Sequence, residues 1–117
     1  MRKIGFIAVC ILMGTLSASC AFRSSKRVFG PYSEAEAFYN KGNYSKAIEK
    51  YQEYLASNPQ GNLAAIAEYY IAKSYLVSGK QVEAQQGFQR VVSEFPGTSW
   101  AEFAKDQLQI LQDPGKV

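Results

Sequence analysis

Cys20 is the residue with the clearest capacity for covalent chemistry. The chain has two cysteines, and the other, Cys10, lies inside the apolar run IGFIAVCILMGTL. A thiolate is a nucleophile or a metal ligand, but each role needs an activating neighbour or further ligands. The chain has no histidine. It also has no glycine-rich phosphate loop and no cluster of metal-ligand residues. The acidic pairs Glu34/Glu36 and Glu49/Glu53 stand at helix spacing among lysines, as on a solvated helix face. No pair has the setting that general acid–base catalysis requires. The expectation is a non-enzymatic chain without metal or organic cofactor, in which Cys20 carries the covalent chemistry.

The residues before Cys20 define that chemistry. Met1-Arg2-Lys3 makes a positive start, Ile4 to Leu16 is apolar, and the small residues Ser17-Ala18-Ser19 follow. This is the three-part layout of a secretory signal peptide over residues 1–19. The apolar run is shorter than the roughly 20 residues of a spanning helix, so a permanent transmembrane anchor is the weaker reading. LSASC resembles the lipobox of bacterial lipoproteins, although Leu16 stands one place earlier than the family's usual leucine and Ser17 takes its position. The resemblance implies a diacylglycerol on the sulfur of Cys20 and an acyl chain such as palmitate on its new amino terminus. Cleavage after Ser19 or Ala21, releasing a soluble protein, is the alternative. Acylation also accounts for a lone thiol in an exported chain. More than one acyl chain makes stable anchoring plausible. Ala21 after the cysteine, in place of the aspartate that retains enterobacterial lipoproteins, implies the outer membrane, periplasmic face. In a Gram-positive host the site would be the outer face of the cytoplasmic membrane.

Residues 20–31 read as a lipidated tether, with Ser24-Ser25, three basic residues and the Gly30-Pro31 break. Arg23, Lys26 and Arg27 either lie against anionic headgroups, at about 1 kcal/mol per charge near the surface, or are simply solvated. From Val28 onward the chain has 8 basic and 10 acidic side chains, so the folded body is mildly acidic and unlike a nucleic-acid binder. A hydrophobic content of 47% and a charged content of 20% are those of a globular protein.

Periodicity beyond the tether is helical. Ser33 and Glu36 form a capping-box pair for a helix over about 33–41, which Gly42 ends. Asn43 caps a second helix over about 44–57, with Ala47, Ile48, Tyr51, Tyr54 and Leu55 at three- and four-residue steps. Asn58-Pro59 stops it. The order then returns over about 63–78 and 81–95, and Pro96-Gly97 closes the second pair. A shift of 37 residues places Ala35 on Ala72, Phe38 on Tyr75, Gly42 on Gly79, Ala47 on Ala84, Tyr51 on Phe88, Tyr54 on Val91 and Pro59 on Pro96. Small residues let paired helices approach, aromatics fill the gap between them, and stacking buries what one hairpin leaves bare. A fifth helix over about 100–112, headed by the pair Ser99 and Glu102, covers the open end.

This small–aromatic–Gly–Ala–aromatic–Pro framework resembles the tetratricopeptide repeat, with three extra residues around 60–62, no early tryptophan, and Tyr54 where a small residue is usual. KGNYSKAIEKYQEYLASNP and FPGTSWAEFAKDQL are similar to periplasmic repeat lipoproteins of outer-membrane assembly and of the Tol–Pal system. The implied fold is all-α: two helix-turn-helix hairpins and a C-terminal capping helix over residues 32–112, a right-handed α-solenoid fragment, followed by a tail at 113–117. Family geometry implies a concave surface lined by Tyr32, Glu36, Tyr39 and Asn40 in the first repeat and by Tyr69, Lys73, Leu76 and Val77 in the second. Some of these tyrosines would otherwise pad the small core. The implied role is a membrane-anchored adaptor that binds a protein partner in the cell envelope. The alternative is a structural subunit that completes its short stack as a homo-oligomer or by docking on a larger complex.

Overall fold

The computed structural model describes residues 25–115. The expected signal peptide over residues 1–19 and the expected lipid-attachment residue Cys20 lie outside the described residues. Five helices follow in order: α1 (Ser25–Asn40), α2 (Tyr44–Ser57), α3 (Asn62–Val77), α4 (Gln81–Glu94) and α5 (Ser99–Gln112). There is no strand among the described residues. The starts of α1, α3 and α5 are each 37 residues apart, as are those of α2 and α4, so the sequence offset is also the structural one.

Each hairpin turn is built the same way. Gly42 and Gly79 adopt φ of +78° and +80°, where a side chain is strained. In the first turn the Gly42 and Asn43 amides donate to the carbonyls of Tyr39 and Phe38, both at 2.9 Å. In the second, Gly79 and Lys80 donate to Leu76 and Tyr75 at 3.1 and 2.9 Å. These are paired Schellman bonds, which satisfy the free carbonyls of α1 and α3. The Asn43 side chain then accepts from the Lys46 amide at 3.3 Å and starts α2, as expected.

Two boundaries differ from the sequence expectation. α1 begins at Ser25 and runs through Pro31, so the stretch expected to be a tether, residues 20–31, is helical from residue 25, and Ser33 is not a cap. Proline disfavours helix in the residue before it through clashes with that residue's N–H and Cβ, and Gly30 has no Cβ to clash. The second difference is at α5. Its cap is Thr98 rather than Ser99, and the Thr98 hydroxyl accepts from the Ala101 amide at 3.2 Å.

Each helix packs on its chain neighbours, and α3 also touches α5. Close approach depends on Ala35, Ala47, Ala72 and Ala84, all 0% exposed. Around them lie two main clusters. One joins the first hairpin to α3 through Tyr51 and Ile71, and the other joins the second hairpin to α5 through Phe88, Val91 and Ala104. Burying an aromatic such as Phe88 stabilises by roughly 1.5–3 kcal/mol, so the repeated aromatic positions carry much of the stack. No helix among the described residues is long and apolar enough to cross a membrane.

Candidate protein-binding face

The first helices of the repeats, α1, α3 and α5, lie side by side, and an aromatic chain crosses them. Tyr39 on α1 meets Tyr70 on α3 edge-on at 5.0 Å. Tyr70 is 6.1 Å from Trp100 on α5, and Trp100 is 5.5 Å from Phe103. Tyr39, Tyr70 and Trp100 are half-buried, whereas Phe103 is exposed. The three helices therefore share one aromatic floor.

The residues expected to line the concave surface divide into two groups. Tyr32 and Tyr69 belong to the core, each only 7% exposed. Tyr32 packs edge-on against Tyr51 and Tyr54 at 5.7 and 5.3 Å. Tyr69 packs against Phe88 and Trp100 at 5.5 and 5.2 Å. Placing them in a ligand-binding groove is corrected accordingly: α2 and α5 approach closely enough to enclose both rings. Glu36 and Asn40 are exposed, Tyr39, Lys73 and Leu76 are half-buried, and Val77 is half exposed. Glu36, Lys73 and Ile110 stand at equivalent positions of α1, α3 and α5, 37 residues apart, and so form one row across the three helices.

Sequence reasoning missed Tyr70, Trp100, Phe103 and Ile110 as parts of this face. The signal was available, because the same shift that pairs α1 with α3 carries Ile66 to Phe103 and Lys73 to Ile110. Reading α5 as a cap concealed it.

The tyrosines expected on the face titrate as buried or half-buried phenols. Burial, then the neighbouring Glu36 carboxylate, pushes the Tyr32 phenol up to about 12. Burial is also the main cause raising Tyr39 and Tyr69. These phenols hold their protons at neutral pH and offer hydroxyl donors rather than bases. Among the described residues no group of three or more metal-ligand side chains comes together. Two helical hairpins in register with a third first helix define an α-helical repeat protein. The tetratricopeptide repeat profile matches residues 32–61 and 67–98, more than half of the chain. The protein belongs to the tetratricopeptide repeat family. No curated protein matches the chain significantly.

Proposed function

We propose that this protein is a membrane-anchored periplasmic adaptor that binds a protein partner of the cell envelope through the face formed by α1, α3 and α5. One observation carries the reading. Three of the four large apolar side chains left exposed among the described residues, Val77, Phe103 and Ile110, at 52%, 48% and 42%, belong to the first helices of the repeats; the fourth, Val82, stands at the start of α4. Large apolar side chains left in solvent on one face mark an interaction surface. The anchor rests on the lipobox-like LSASC and the lone Cys20. Acylation there would hold the domain at the periplasmic face of the outer membrane.

Two measurements test the parts separately. Replacing Cys20 by serine is expected to abolish labelling by a fatty-acid analogue and to move the protein from the membrane to the soluble fraction. Equal labelling of the variant would end the lipoprotein reading. Cross-linking in cells followed by mass spectrometry identifies the partner, and Asn40→Ala with Val77→Ser is expected to reduce its capture. Undiminished capture by that variant and by Phe103→Ser/Ile110→Ser would exclude the first-helix face.

A further inference from the structure

The stack closes at α5. On α3, Glu68 and Ala72 meet α4, through Arg90 at 3.6 Å and through Gly87. Their counterparts on α5 are Lys105 and Gln109, both exposed. Lys105 pairs within its own helix, 2.8 Å from Glu102. A further second helix would thus meet Gln109 where α4 meets Ala72, and a lysine already paired in its own helix where α4 meets Glu68. The outer edge of α5 differs as well. Tyr69 of α3 seats Trp100 of the next first helix, but its counterpart on α5 is Asp106. Neither surface that extends the stack is repeated.

Phe103 and Ile110 are therefore not the bare seam of a missing hairpin. They stand seven positions apart, about two helical turns, with Asp106 between them on the same side of α5. Asp106 has no ion-pair partner among the described residues. This arrangement disfavours a second copy as the occupant. A twofold pair of α5 helices meeting at Phe103 and Ile110 would have its axis near Asp106 and would set that carboxylate against its own copy. Juxtaposed like charges oppose such a contact, whereas a cation from a different partner satisfies the carboxylate. The net acidity of the body from Val28 onward, with 8 basic and 10 acidic side chains, favours the same partner.

We infer that Phe103, Asp106 and Ile110 anchor an amphipathic helix of another protein, one with a lysine or arginine set between two apolar residues two turns apart. The ridge on α5 matches that spacing by ordinary helix-on-helix packing. This rests on the adaptor reading and names the partner chemistry for one end of the binding face.

Trp100 is the chain's single tryptophan and lies 5.5 Å from Phe103, so it is a native reporter of the patch. The probe is an alanine-rich helical peptide without aromatic residues, bearing two leucines two turns apart and an arginine between them. Titrated into the full chain, it is expected to shift Trp100 emission. Exchanging its arginine for glutamate should weaken binding about tenfold, and Asp106→Arg should reverse the preference. Phe103→Ser with Ile110→Ser should abolish binding while the variant stays folded, with a modest loss of melting temperature because each side chain is about half covered. Equal binding of the two peptides, undiminished binding to the double variant, or no binding by calorimetry would overturn the proposal. So would a dimer in sedimentation that the double variant dissolves, which would give the patch to a second copy. If the double variant still captures the cellular partner while Asn40→Ala/Val77→Ser does not, the adaptor reading stands and this inference fails.

Discussion

A Cβ placed on Gly87 would lie 2.7 Å from the Cβ of Ala72, so α3 and α4 meet at a point that admits no further carbon. Gly87 lies in mid-helix, where glycine costs about 1 kcal/mol relative to alanine. Close approach of the two helices offsets that cost. Gly87→Ala is therefore expected to destabilise despite its better helix propensity, because overpacking a closed contact typically costs about 1–3 kcal/mol. Thermal melting checks this. A higher melting temperature would show that the helices separate without loss.

Glu68 supplies a pH-dependent test. Its Oε2 is buried without a hydrogen-bond partner, and Arg90 stands 3.6 Å away, too far for one. Burial raises the Glu68 carboxyl above its ordinary value, with Arg90 opposing and Glu94 adding to the rise. A carboxyl raised on folding binds its proton more tightly in the folded state. Its neutral form is thus the favoured one. Stability is greatest below the ordinary carboxylate value and falls as pH rises through the raised value. Glu68→Gln should remove this loss. Its melting temperature should exceed that of the parent by a margin that opens over that window and persists at neutral pH. The expected gain is about 1 kcal/mol, or roughly 4–8 °C. Arg90→Ala should destabilise the parent more than it destabilises Glu68→Gln.

The buried tyrosines should behave as core residues. Tyr69→Ala removes a ring enclosed by Phe88 and Trp100 and is expected to cost about 3–5 kcal/mol, in line with other buried aromatics. Tyr39→Ala, at a half-buried position, should cost clearly less. Comparable losses at the two sites, read from denaturant midpoints, would contradict this assignment.

Gly79 carries a backbone requirement. Its φ of +80° lies in the left-handed region, and a Cβ there would meet nothing within 4 Å. Gly79→Ala should therefore destabilise through the backbone alone, by about 1–2 kcal/mol. Gly42→Ala should match it, because the two turns share one geometry. Unequal effects would show that the turns are not equivalent.

The hairpins were legible in the sequence because their signals are local. Gly42 and Gly79 mark turns that require positive φ, and Pro59 and Pro96 mark stops wherever they occur. Burial was less legible because it depends on what packs from elsewhere in the chain. Tyr32 and Tyr69 occupy positions that family geometry assigns to a groove, yet Tyr54 and Trp100 fold over them. The start of α1 was misread for a different reason. A Gly-Pro pair ordinarily signals a break, but a glycine before proline also lacks the Cβ that takes part in the clash with the proline ring. For Phe103 and Ile110 the repeat register carries the information, since the shift that sets Trp100 on Leu63 also sets them on Ile66 and Lys73, but a helix read as a cap is not expected to line the groove.

Packing between chain neighbours bears on how the molecule acquires its shape. α1 meets α2, α2 meets α3, and so on to α5, with α3 to α5 the other substantial contact. Low contact order of this kind is associated with folding in microseconds to milliseconds, since little loop entropy is lost before contacts form. A hairpin that emerges first during synthesis would find its partner surface within the next few dozen residues. The same locality leaves both end helices, α1 and α5, with neighbours on one side, so these two, the ridge on α5 included, should open ahead of α2–α4 in native-state hydrogen exchange. A ligand seated there would slow exchange first in the last helix.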